Sequence, residues 1–396
     1  MKVLSLICFV LCAIALTAQV NVNVSILNNL EKNKIEVNVL NGTYNLSSQG
    51  QFIRTMEVNE TFIVRAYNHE ILTEKKDQKY FKKSFFLRVD ATRPGCIFQI
   101  KSINDQPVDF KYKGAILITA DGNELKIINI LELDDYLVGV LRAEVGGLYD
   151  PEFLKSMAII SRTYTLRNLG KNLDKGFDLT DQVDCQVYVG VNNWEKKIVD
   201  AVKATSNEVI LDTSFQFIDA LFHSNSGGLT SRASYVWSRD LEYCEEVEDS
   251  FSMFGRHYEW TYKIPKNEWH VYLMYKYDSI PDDYLINNEY DRRKFWKVGD
   301  SVLLMIDIRK HFRLKSALFN VLERGDSVVF EGRGYGHGVG MSQEGAYEMS
   351  LQGFSYEDII LHYYHNVHIG CLSDSIHRMD STLPLINRIE EFKIAP

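Results

Sequence analysis

Glu144 closes an apolar run, Tyr136-Leu137-Val138-Gly139-Val140-Leu141, and Val145-Gly146-Gly147 follows it. A carboxylate at the end of an apolar element loses water on one side. Desolvation raises its pKa, so it can hold a proton near neutral pH and hand it to a leaving oxygen. Read without chemistry, the same residue is a charge at a surface turn.

A second stretch, Gly332-Arg333-Gly334-Tyr335-Gly336-His337-Gly338-Val339-Gly340-Met341-Ser342-Gln343, alternates glycine with other residues and ends at an expected helix start. Glycine lets backbone approach a ligand closely, and a helix start offers free N–H groups. His337 in its middle could position a hydroxyl or relay a proton. The Lys-Ser/Thr pair of a phosphate loop is missing, and no strand–GxGxxG–helix unit is apparent. A purely structural glycine turn is the alternative.

The third candidate is Phe222-His223-Ser224-Asn225-Ser226-Gly227-Gly228. Ser224 or Ser226 with a histidine could form a nucleophile pair. There is no G-x-S-x-G elbow, and no acid is marked as orienter. A hydrogen-bonding loop beside a sugar or peptide and a satisfied core His223 are the other readings. Ser161-Arg162-Thr163-Tyr164 sits on an expected helix, where a buried Arg162 must find a partner. Gln186 and Tyr188, an amide and an aromatic, suit a carbohydrate surface.

The elements that must position these residues follow from periodicity. Val20-Asn21-Val22-Asn23-Val24 and Ile35-Glu36-Val37-Asn38-Val39 alternate strictly, as half-buried strands do. The pattern continues to about Asp121. Leu125–Leu141 begins as a strand and can turn helical from Leu133. Pro151 opens a helix that Gly170 stops. Further helices are expected at about 193–205, 342–351 and 356–364, and strands at 208–211, 217–222, 301–308 and 327–331. The fold class is therefore α+β, a mixed domain with several helices after a β-rich N-terminal region.

Lys2, an apolar run from Val3 to Leu16 and small residues at Thr17-Ala18 read as a secretory signal peptide. The run is shorter than the roughly 20 residues that span a bilayer, and no later segment is apolar enough to do so. The expected organisation is 1–18 leader, 19–110 β-rich accessory region, 111–370 catalytic domain and 371–396 tail, acting outside the cytoplasm. Beyond the leader, Cys96, Cys185, Cys244 and Cys371 show no CxxC or Cys/His cluster, so no metal and no cofactor are expected. With 44 basic and 53 acidic residues, net charge −9, the chain lacks the basic face that nucleic acid requires.

The order of the segments carries more than any one of them. Tyr136–Val140 with Glu144, Met157–Tyr164, Cys185-Gln186-Val187-Tyr188-Val189-Gly190, His223–Thr230, Gly336-His337-Gly338-Val339-Gly340-Met341-Ser342-Gln343-Glu344-Gly345-Ala346 and Ile359–Tyr364 together resemble the SpoIID/LytB family over about residues 110–370. The resemblance implies a lytic transglycosylase acting on peptidoglycan glycan strands, preferably stripped of stem peptides. It places the catalytic glutamate at Glu144. A groove is expected from Arg162, Tyr164, Gln186, Tyr188, His223, Ser224, Ser226, Gly336, His337, Gly338, Ser342 and Gln343. A two-carboxylate hydrolase would need a second acid about 5 to 9.5 Å away. A lyase needs none, because the MurNAc 6-hydroxyl can attack C1 and leave 1,6-anhydro-MurNAc. Many members have Met-Pro after the glutamate, where this chain has Val145-Gly146. Some members bind zinc through extra Cys and His before the Gln-Val-Tyr segment, of which only Cys185 remains. The amidase-enhancer branch supplies the rival reading, a non-catalytic wall-binding protein whose partner is a cell-wall amidase.

Overall fold

The computed structural model describes residues 20–372, apart from 76–77, 192–194, 278–279, 281–283, 288 and 299–300. The expected leader, residues 193–194 of the helix expected at about 193–205, and the tail after Leu372 lie outside the described residues.

The N-terminal alternation becomes twelve strands: β1 (Asn21–Ser25), β2 (Lys34–Asn41), β3 (Tyr44–Ser48), β4 (Gln51–Met56), β5 (Thr61–Tyr67), β6 (Glu70–Lys75), β7 (Gln78–Ser84), β8 (Phe86–Ala91), β9 (Ile97–Ile103), β10 (Gln106–Lys113), β11 (Ala115–Asp121) and β12 (Glu124–Glu132). One sheet runs β10-β9-β2-β5-β6-β7. The other contains β1-β12-β11-β8-β3-β4, and its β11 and β12 face β5 and β6 of the first. Val22, Val24, Val37, Phe62, Ile116 and Ile127 are buried between them. The strands cross residue 110 without a break.

β12 leads directly into helix α1 (Leu133–Glu144), as the change of period at Leu133 suggested. Asp134 and Asp135 in its first turn and Arg142 in its last complement the helix dipole. Helix α2 (Pro151–Arg167) starts with Pro151 and an Asp150 side chain that accepts the Glu152 N–H at 2.9 Å. Phe153, Leu154, Met157, Ala158, Ile159 and Ile160 on it are fully buried. The short strand β13 (Leu179–Thr180) then pairs parallel with β1 and completes the larger sheet. Helix α3 (Lys196–Ala204) packs on α1 and α2. β14 (Glu208–Asp212) follows.

The expected strand at 217–222 is reduced to β15 (Phe222–His223). Its backbone is claimed elsewhere: the Tyr243 hydroxyl accepts the Asp219 N–H, and the Tyr364 hydroxyl donates to the Leu221 carbonyl. A small lobe comes next, built from β16 (Glu259–Pro265), α4 (Lys266–Tyr277), β17 (Phe295–Val298), β18 (Ser301–Leu304), α5 (Met305–His311), β19 (Phe319–Arg324) and β20 (Ser327–Arg333). Its three-stranded sheet β16-β20-β19 has its own core of Trp260, Trp269, Phe312, Phe319 and Phe330. The strand expected over 301–308 stops at Leu304 and becomes α5. Asp307 in the first turn and Arg309-Lys310-His311 in the last favour the helix there. The chain returns through β21 (Met341–Ser342), parallel to β15, into α6 (Gln343–Leu351), α7 (Tyr356–Tyr363) and β22 (Val367–Cys371), which pairs with β14. Among the described residues, no helix is long and apolar enough to cross a membrane.

Candidate active site at the end of helix α1

Glu144 is the last residue of α1 and lies on the wall of a cavity of about 420 Å3. Burial raises its pKa, opposed in part by the Val187 N–H, which donates to Glu144 Oε1 at 3.3 Å. The negative end of the α1 dipole lies at the same place and further disfavours the ionised form. Val187 reaches Glu144 because Gly139 leaves room: a Cβ there would lie 2.5 Å from the Tyr188 ring. Tyr188 packs on Tyr136 at 5.1 Å and donates from its hydroxyl to Asn129 Oδ1 at 3.0 Å. An absent side chain on α1 thus docks the segment that supplies Glu144 with its hydrogen bond.

The opposite wall is α6 and the turn before β16. The Gln343 amide donates to the Glu144 backbone carbonyl at 3.3 Å, joining α6 to the end of α1. Ser224, Arg256 and Glu344 also face this cavity. Glu344 accepts the Asn225 amide at 2.7 Å and the His257 backbone N–H at 3.1 Å, and its Oε1 lies 2.6 Å from His257 Nδ1. Ser224 Oγ lies 3.3 Å from the same Nδ1. A serine relay requires the acid and the hydroxyl on opposite ring nitrogens. Here they share one, so this trio is not arranged as a nucleophile triad.

Ser226 is fully buried. Its Oγ donates to Asp249 Oδ2 at 2.7 Å and lies 2.8 Å from Ser252 Oγ. Burial raises the Asp249 pKa. Ser342 caps α6 by accepting the Gly345 N–H at 3.3 Å and also accepts the Ser226 N–H at 3.2 Å. Arg162 is buried and donates to the carbonyls of Val202 at 3.1 Å and Glu208 at 3.3 Å and to Asp134 at 3.2 Å, tying α2 to α1 and α3. Gln186 is buried and accepts the Thr165 hydroxyl at 2.9 Å. Tyr164 is half-buried, and burial raises its pKa.

The glycine-rich stretch packs against its own chain. Gly340, at φ +69°, brings its Cα so near the Leu221 carbonyl that a Cβ would sit 2.0 Å from that oxygen. Gly336 abuts His223, and Gly338 abuts the Arg292 guanidinium. Arg292 is buried and donates to the carbonyls of Leu229 and Ser226 at 3.0 and 2.5 Å. His337 lies between His223 and Trp237, with ring centroids 5.6 and 5.2 Å away, and its Nδ1 accepts the Val339 N–H at 3.0 Å. Burial, with Arg309 and Arg292 nearby, lowers the His337 pKa to about 4. His223 is buried, its Nδ1 3.1 Å from the Val339 carbonyl, and burial pushes its pKa well down.

Of the residues expected in one groove, Glu144, Ser224 and Gln343 share the cavity. Arg162, Gln186, Tyr188, His223, Ser226, Gly338 and Ser342 are buried, and neither they nor Tyr164, Gly336 and His337 line it. Sequence reasoning missed Arg256, His257, Glu344, Asp249 and Arg292. Glu344 stands next to Gln343 in the quoted string, so its position was a usable signal. Arg256 and His257 lie in a stretch without clear periodicity.

The family model for Stage II sporulation protein matches residues 121–211, which include Glu144. The chain is 31% identical to Stage II sporulation protein D of Bacillus subtilis (strain 168) over 257 residues, 61% of this chain and 75% of that protein. It is 30% identical to the protein of that name from Bacillus amyloliquefaciens, over 61% of this chain and 74% of the relative. It is 23% identical to the amidase enhancer of Bacillus subtilis (strain 168), over 58% of this chain and 39% of that protein. With a matched segment that carries the cavity glutamate, and with three quarters of a sporulation protein D covered, the chain belongs to the SpoIID/LytB family.

Proposed function

We propose that the protein acts outside the cytoplasm as a peptidoglycan lytic transglycosylase, cleaving the MurNAc–GlcNAc bond of peptide-stripped glycan strands and leaving 1,6-anhydro-MurNAc ends. The observation that carries this reading is Glu144, a carboxyl on a cavity wall whose burial favours its protonated form. The protonated acid donates to the glycosidic oxygen as the bond to C1 breaks through an oxocarbenium-like state. The MurNAc 6-hydroxyl then attacks C1, and the ionised Glu144 takes the hydroxyl proton. The acid is regenerated and no water is consumed.

Glu344 shares the cavity but is engaged by Asn225 and twice by His257. Those contacts hold the wall and leave it poorly placed to serve as a second catalytic carboxylate. Gln343 and Ser224 supply an amide and a hydroxyl of the kind that bind sugar hydroxyl and N-acetyl groups. Arg162, Tyr188, Ser226 and Ser342 act by holding the elements that form the cavity.

The amidase enhancer relative favours a second reading, a wall-binding protein that stimulates an amidase without cleaving glycan itself. Mass spectrometry of products from purified glycan strands separates the two. The lyase releases anhydro-MurNAc ends and no reducing MurNAc ends. Unchanged strands would leave the enhancer reading, and reducing ends would replace the lyase by a hydrolase.

A further inference from the structure

Among the described residues that line the Glu144 cavity, Arg256 is the single cation, set against three carboxylates, Glu144, Glu344 and Glu348. We infer that Arg256 binds the free lactyl carboxylate of MurNAc and so selects strands whose stem peptides have been removed. This rests on the glycan-strand reading above and adds to it the residue that distinguishes the substrate.

The backbone of Arg256 is fixed, while its charged end is held only by a long ion pair from Nε to Glu344. Gly255 presses so closely on Glu344 that a Cβ would lie 2.1 Å from Oε2, and the His257 N–H donates to that same oxygen at 3.1 Å. Asp249 caps the short 3-10 turn Ser250–Phe254 just before it, accepting the Ser252 N–H. The Arg256 side chain is 77% exposed, and its Nε lies 3.7 Å from Glu344 Oε1, beyond hydrogen-bond length. The planar fork therefore remains available for bidentate pairing with a carboxylate. With Glu144 protonated, Glu344 and Glu348 would still repel an anionic substrate group elsewhere on this wall. A peptide-free MurNAc carries one lactyl carboxylate. On a peptide-bearing MurNAc the same carbon is an uncharged amide, and the pairing is lost.

The test uses glycan strands with free lactyl carboxylates and the same strands converted to lactyl methylamides. Binding is measured in the Glu144→Gln protein, so that cleavage does not interfere. The free-acid strands should bind about tenfold more tightly than the amides, the worth of one charge-assisted pair at a partly exposed site. Adding Arg256→Gln should bring the acid strands down to the affinity of the amides, and Arg256→Lys should keep part of the preference. Equal binding of both strands before the arginine change, or a preference that survives it, overturns the inference and leaves the lyase standing. Preferential binding without anhydro products from the wild type overturns the lyase and leaves the arginine assignment. Binding of neither strand removes both.

Discussion

Glu144 has to give up a proton and recover it, and its surroundings favour the protonated form at the start. Glu144→Gln keeps the shape and the Val187 hydrogen bond but cannot exchange the proton. Cleavage should fall at least about 10²–10⁴-fold while strand binding is kept. The same variant has a stability signature. The folded pKa lies above the unfolded one, so ionising Glu144 costs stability as pH rises from its unfolded value through the folded one. Gln removes that cost. The variant should melt above the wild type at pH 8 and with it at pH 4, and wild-type cleavage should decline as pH rises through the same window. A second residue-scale case is Arg162, which donates to two buried carbonyls and to Asp134. Arg162→Met should cost roughly 2–4 kcal/mol in denaturant unfolding, because carbonyls are left unpaired. The protein that stays folded should keep its KM for glycan. A raised KM with intact stability would return Arg162 to the binding surface.

At the scale of elements, the alternation of glycines is explained by two backbones lying against each other. The Asn225 N–H and the Tyr335 N–H each donate to the other's carbonyl, at 3.0 and 2.8 Å, and His337, two residues on, packs between His223 and Trp237. Its folded pKa of about 4 lies below the ordinary histidine value of 6.5. The stability that depends on its neutral form is complete above pH 6.5 and is lost as pH falls toward 4. His337→Gln should flatten the fall in melting temperature between those values, measured by calorimetry at several pH values. An unchanged slope would mean that the ring charges without penalty. The start of α1 at Leu133 and the limits of α2 were legible because Pro, Gly and a change of hydrophobic period are local signals. In the wall opposite Glu144, Ser224 and Gln343 were legible but Arg256 and His257 were not, because His257 meets Glu344 across 87 positions of sequence from a stretch without clear periodicity. The end of the strand at Leu304 was missed for another reason: an apolar run suits a strand as well as a short buried helix, and only the charges at the two ends of α5 distinguish them.

Over the whole molecule, the β region and the helices that carry Glu144 share one hydrophobic core, whereas the lobe between β16 and β20 has its own. Residues 19–110, expected as a β-rich accessory region, are tied to the helices by specific contacts. β13, which follows α2, pairs with β1 inside the larger sheet. Asp178 and Asp181 beside it accept the N–H groups of Asn23 at 2.8 Å and Leu27 at 2.5 Å. Tyr188, next to the residue that bonds Glu144, packs on Tyr112 of β10 at 6.0 Å and bonds Asn129 of β12. Removing the sheets would expose the apolar underside of α1 and leave Asp178, Asp181 and Tyr188 without these partners, a loss far above the 5–15 kcal/mol that stabilises a typical domain. A fragment covering 133–372 should therefore show no cooperative unfolding transition, lose its near-ultraviolet circular dichroism and cleave no glycan. The full chain should unfold its β region and α1–α3 in one step, with the smaller lobe free to melt separately. A fragment that unfolds cooperatively and still yields anhydro-MurNAc ends would make the β region an appendage. It would also require Val187 to be held against Glu144 by something other than the sheets behind it.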